Sequence, residues 1–252
     1  MLESLTLANI LLLLLVGLIS GYINTLAGSG SLITLPLLIF LGLPANVANG
    51  TNRVAIFLQS IVGAGSFYQQ DQLNLKTDSR ISIPAVAGAV IGAKIAVDIN
   101  EQMMETIIGL IIVLMLFILL LKPRRFLNPD GLQQKKTPWY AYPVFFIIGL
   151  YGGFIQAGVG LFILMGLSLS AGYNLVRANA VKVLIVLIYT PFAMYVFFNN
   201  GQVDLIAGLI LAAGSMAGAL IAARMAVKLG SGFVRYVLLA IMVISAIKLL
   251  LF

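Results

Sequence analysis

Two cations in this 252-residue chain stand where an apolar helix would bury them. Arg53 lies six residues into one hydrophobic segment and Lys182 six residues into another, each about two helical turns from its start. A charge at that depth costs a few kcal/mol by insertion scales. Snorkelling toward the interface is the bland explanation, and the neighbouring side chains argue against it. Asn46 and Asn49 precede Arg53 on roughly its own face, and Asn179 stands three residues before Lys182. Amides and a cation on one stripe, with no carboxylate beside them, form a donor-rich surface suited to an oxyanion.

The elements that must position these side chains occur twice. Gly17, Gly21 and Asn24 fall on Gly149, Gly153 and Gln156 at a constant offset of 132. Across three missing residues, Asn49-Gly50-Thr51-Asn52-Arg53 then lines up with Ala178-Asn179-Ala180-Val181-Lys182. Between the paired stretches the apolar sequence is interrupted, by Gly28-Ser29-Gly30-Ser31 in one copy and Gly158-Val159-Gly160 in the other. Glycine permits backbone conformations closed to other residues, and Ser29 or Ser31 can cap the helix that follows. The start of such a helix presents free N–H groups that attract anions, and paired interruptions mark the binding site of many transporters. Close packing is the competing role for these glycines, above all for Gly17, Gly21, Gly149 and Gly153.

Composition fixes the setting. Apolar residues make up 61% of the chain and charged residues 9%, against roughly a quarter charged in a soluble domain. Runs of about 20 apolar residues, rather than ten-residue alternating patterns, predict an all-α polytopic membrane protein. The first run lacks a basic leader and a cleavage pattern, so it is not read as a removable signal. The net charge of +7 sits mostly at segment ends, which fits positive-inside topology and not nucleic-acid binding. With no Cys and no His, the chain has no thiolate or Ser-His chemistry and no Cys/His metal site. No enzyme activity and no cofactor are expected.

Ten hydrophobic segments can be drawn, at about 7–27, 31–44, 47–69, 81–98, 102–121, 139–157, 160–172, 176–198, 203–223 and 233–252. The second and seventh are too short to cross a hydrocarbon layer of about 30 Å and are read as half-helices or re-entrant arms. Residues 1–121 form a first repeat, 122–138 a basic connecting loop and 139–252 a second repeat. Lys122, Arg124, Arg125, Lys135 and Lys136 make that loop cytoplasmic. Arg224, Lys228 and Arg235 mark a second cytoplasmic loop, on the same side only if each broken segment goes in and returns. Lys76, Arg80 and Arg177 then lie inside, Asp98, Glu101, Glu105 and Asp204 outside, and both termini outside. Five elements per half place the second repeat upside down relative to the first.

Other intramembrane polar residues, among them Gln59, Ser60, Ser66, Tyr189, Thr190 and Ser215, are expected mostly to bond helix to helix. Lys94 is expected to pair with Asp98 at i,i+4. Pro36, Pro84 and Pro191 should kink or start helices. Every acid lies at or near a segment end, which disfavours a side-chain proton relay.

The stretch AGSGSLITLPLLIFLGLPANVANGTNR and the weaker second copy ending RANAVK resemble the TauE/SafE sulfite exporter family, over nearly the whole chain. The resemblance implies transport of sulfite, an organosulfonate such as sulfoacetate, or another sulfur-containing anion, in a multi-pass protein of the cell membrane. Ser29 among the glycines and Asn52, where the family often has serine, depart from its motif. On this basis Asn24, the N–H groups of Gly28, Ser29, Gly30 and Ser31, and Asn49, Thr51, Asn52 and Arg53 form one wall of an anion site. Gln156, Gly158, Gly160, Asn179 and Lys182 form the other. A non-transporting scaffold, a carrier of another small anion and a cation carrier are the alternatives.

Overall fold

The computed structural model describes residues 6–121, 138–171 and 173–251. Among them the regular structure is entirely helical: α1 (Leu7–Ala27), α2 (Ser31–Phe40), α3 (Ala45–Gln69), α4 (Leu75–Asp78), α5 (Ser82–Val97), α6 (Glu101–Leu121), α7 (Ala141–Phe154), α8 (Val159–Ala171), α9 (Leu175–Asn199) and α10 (Leu205–Leu251). Leu7–Ala27, Leu75–Val97, Leu175–Asn199 and Leu205–Gly230 are long and apolar enough to cross a membrane. The basic loop at 122–137 lies outside the described residues.

Most segment boundaries fall close to expectation, apart from α2, which ends at Phe40 and not near 44, and two further differences. The segments expected at 203–223 and 233–252 are two helices, as expected, that meet within α10 at a break at Gly230 (φ 74°, ψ −172°); the difference is that the first runs past 223. Arg224 and Lys228 are good helix formers and carry the helix past its apolar stretch, until a glycine takes a backbone conformation that side chains disfavour. The other difference is α7, which stops at Phe154 and not near 157, because Ile155 turns extended (φ −138°, ψ 129°).

The two short arms are real. α2 has 10 residues and α8 has 13, so each spans at most about 20 Å. α1 ends when Gly28 enters the left-handed region (φ 73°) and its N–H bonds back to Asn24 O at 2.9 Å. Gly158 adopts nearly the same φ, 71°, after α7. The two interruptions touch backbone to backbone: a Cβ added to Gly28 would lie 2.3 Å from Gly160 Cα, and one added to Gly160 the same distance from Gly28 Cα.

Two equivalent close crossings hold the layers. α1 lies on α10, where added carbons at Gly17 and Gly21 would meet Leu211 O at 2.4 Å and Ser215 O at 2.1 Å. α7 lies on α5, where Gly149 and Gly153 would meet Ala85 O at 2.2 Å and Ala89 O at 2.0 Å. Small residues four apart let the backbones approach this closely, so for these four glycines packing is the observed role. Between the crossings stand α3 and α9, packed on each other, with every residue from 48 to 56 and from 178 to 186 buried.

Candidate functional site

Arg53 is fully buried, and its guanidinium closes the carbonyl end of α7. Nη1 donates to Gly152 O (3.0 Å) and Gln156 Oε1 (3.1 Å), and Nη2 to Gly153 O (2.6 Å), Phe154 O (3.4 Å) and Asn49 Oδ1 (3.4 Å). The Asn49 amide adds a bond to Phe154 O at 2.8 Å, and the Phe197 ring lies 4.4 Å under the guanidinium carbon. The last carbonyls of a helix have no partner within it and carry partial negative charge, so a cation satisfies both needs.

Lys182 does the same for α1. Its ammonium donates to Asn24 O (2.9 Å), Thr25 O (2.6 Å) and Asn179 Oδ1 (2.7 Å), which uses all three protons. Each third helix thus places its cation on the broken first helix of the other half. The side chains expected to hold a ligand directly are first of all holding helix ends.

Beside Lys182 lies a small internal cavity. Asn24, Gln156, Gly160 and Lys182 line it, as the sequence led us to expect of one shared pocket, together with Thr25, Gln59 and Ser60. The remaining expected residues lie elsewhere. Arg53 and Asn49 face the end of α7. Thr51 Oγ1 accepts the N–H of Asp204 at 2.8 Å, and Asn52 Oδ1 accepts the hydroxyl of Thr34 at 2.7 Å. Asn179 supports Lys182 from behind, and Gly158 packs on Met115. Gly30, not Ser29 or Ser31, occupies the cap position of α2, with no side-chain bond; the Ser29 hydroxyl is buried without a partner.

A family model described as sulfite exporter TauE/SafE matches residues 13–249. The chain belongs to this family. It is similar to a probable membrane transporter protein, ORF9, of a Sinorhizobium species, 27% identical over 92% of this chain and 88% of the relative. A probable membrane transporter of Haemophilus influenzae is 25% identical over 89% of this chain and 88% of its own length. YdhB of Bacillus subtilis, also named a probable membrane transporter, is 24% identical over 85% and 88%. No solved structure matches. With the apolar helices, these findings make the chain a multi-pass membrane transporter of the TauE/SafE family.

Within this TauE/SafE transporter the sequence missed Gln59 and Ser60, both buried and both on the cavity wall. By sequence they belong with the polar residues expected to bridge helices, yet few of that group do. Ser215 bonds Leu211 O in its own helix, Ser66 takes a bond from Gln70, and Thr190 Oγ1 has no partner. Tyr189 alone of those named does bridge, accepting from Gln156 Nε2 at 2.9 Å. Lys94 and Asp98 form no ion pair; they line an open surface hollow, where water screens both charges. The ion pair among the described residues joins Arg177 to Asp78 at 2.8 Å.

Proposed function

We propose that this transporter moves a small sulfur oxyanion, sulfite or an organosulfonate, outward through a site between two inverted repeats, residues 1–121 and 139–252, joined by a cytoplasmic loop. The observation that carries the proposal is Lys182, a buried cation on the wall of a cavity lined by amides, hydroxyls and valines between the two helix breaks, with no carboxylate near it. Asn24, Gln156 and the backbone at Gly28 to Ser31 and Gly158 to Gly160 orient the anion's oxygens. Asn49, Thr51, Asn52, Arg53 and Asn179 hold that framework in place.

Carrying the anion across takes a parting of the elements around the cavity, as alternating access requires. A cation carrier would use the carbonyls at broken helix ends as ligands, but Lys182 and Arg53 already occupy those of α1 and α7. The test is flux into liposomes containing the purified protein, with sulfite, sulfoacetate, taurine and sulfate at set membrane potentials. Sulfite or sulfoacetate flux above empty liposomes supports the proposal; flux of none of the anions, or flux that requires Na⁺ as the carried ion, overturns it.

A further inference from the structure

We propose that Gln59 and Ser60 of α3, with the side-chain amide of Asn24, make the hydrogen bonds to the carried anion and set its preference for oxyanions over halides. The inference rests on the anion-transport reading and goes beyond it by naming groups that the repeat pattern does not mark.

Gln59 and Ser60 are 4% and 3% exposed, and both line the cavity beside Lys182. Among the described residues neither side chain has a hydrogen-bond partner, nor does the amide of Asn24. Unlike sealed, unpartnered atoms such as Ser29 Oγ, their polar atoms open onto the cavity, where water or a ligand can bond them. The neighbouring donors are spent: Lys182 gives its three protons to Asn24 O, Thr25 O and Asn179 Oδ1. It offers charge to a ligand, not a free N–H.

The second half shows the same corner filled. Under the offset of 129 that pairs Arg53 with Lys182, Ser60 corresponds to Tyr189. Tyr189 accepts a bond from Gln156, the counterpart of Asn24, and closes that side. Ser60 is shorter by a whole ring and leaves its corner open next to Asn24. The cavity thus exists on one side of the pseudo-repeat, and its unused valences are two amides and a hydroxyl.

A halide is a sphere that needs only the charge of Lys182. An oxyanion has divergent oxygens, and two amides and a hydroxyl supply donors for them at different directions. Removing these donors should therefore weaken oxyanion binding far more than halide binding.

The experiment measures sulfite KM and the inhibition constant of chloride in liposomes for the full-length wild type, Gln59→Met and Ser60→Ala, with melting temperatures of each. Gln59→Met keeps length and removes hydrogen bonding; Ser60→Ala is small enough to fold if the first does not. The proposal expects sulfite KM to rise about tenfold or more, chloride inhibition to change less than about twofold, and melting to stay close to wild type. A sulfite KM unchanged in the folded variants overturns the assignment alone. So does an equal shift for both anions, or a lowered melting temperature with unaltered selectivity, which is the mark of a structural water. A wild type that carries no anion overturns the anion-transport reading, and the assignment falls with it.

Discussion

Arg53 does for the end of α7 what Lys182 does for the end of α1: each is a buried cation seated on the terminal carbonyls of a broken helix from the other half. The arrangement resolves the problem of charge at membrane depth without an acid, because carbonyls that a helix cannot satisfy are strong acceptors with no competing water. It also separates two residues that sequence treats as a pair. Lys182 lines the cavity, and Arg53 does not.

Substitutions should expose that separation. Lys182→Ala removes the charge at the cavity, so anion flux should fall at least about tenfold, the loss of one charge-assisted interaction. Arg53→Lys keeps the charge but loses the planar fork that reaches Gly152 O, Gly153 O and Gln156 Oε1 together. It should lower stability by about 1–3 kcal/mol, seen as an earlier melting transition in detergent. Wild-type melting in Arg53→Lys would show that the guanidinium is not holding α7.

The contact between Gly28 and Gly160 admits no side chain on either. Gly160→Ala places a carbon 2.3 Å from Gly28 Cα, and Gly28→Ala adds the strain of a φ of 73°. Both should destabilise by about 1–3 kcal/mol through overpacking, with Gly28→Ala the worse. Ala at Gly65, an exposed position of α3 where nothing lies within 4 Å, is the control and should leave melting unaltered or raise it slightly, since Ala favours a helix. Equal behaviour of the three variants in a thermal-unfolding series would remove the argument that the breaks meet.

Asp78 and Arg177 join the stretch after α3 to the start of α9. Asp78 is 2% exposed; it accepts Arg177 Nη2 at 2.8 and 3.1 Å and the N–H of Asn74 at 2.7 Å. Arg177 also donates to Gln72 O and stacks near Tyr173. Breaking a pair of which one member is fully buried leaves that charge unmatched, so Arg177→Met should lower stability by about 3 kcal/mol. Asp78→Asn with Arg177→Met should lose less than the sum of the two, a coupling of at least about 0.5 kcal/mol in a double-mutant cycle. Strict additivity in chemical unfolding would reduce the pair to proximity.

Sequence showed the features that repeat: the glycine breaks, the two cations, and Asn24 with Gln156 each have a counterpart in the other half. What it hid follows from the same logic. Gln59 and Ser60 pair with Ile188 and Tyr189, so comparing the halves cancels them out. The seating of Arg53 on α7 depends on the helix ending at Phe154, and helix ends are set by backbone competition that composition locates only within a few residues. Lys94 and Asp98 had helical spacing, but an exposed pair gains little from holding two side chains in one geometry.

The buried residues also bear on driving force. Asp78 is the buried acid among the described residues, and it is engaged with Arg177 away from the cavity. A carrier without an acid or histidine at its site lacks the side chains that usually load a proton with the cargo, and Lys182 is already held by three acceptors. Transport should therefore follow membrane potential alone. For a monoanion, about 2.3 kcal/mol per 100 mV corresponds to an equilibrium gradient of about 50-fold, lower on the negative side. Methanesulfonate suits the measurement, being singly charged at any working pH, once it has been shown to be carried. In liposomes clamped by a potassium gradient and valinomycin, its final distribution should track the imposed potential and ignore a pH step. Uphill movement driven by a pH step at zero potential would show that a proton travels with the anion.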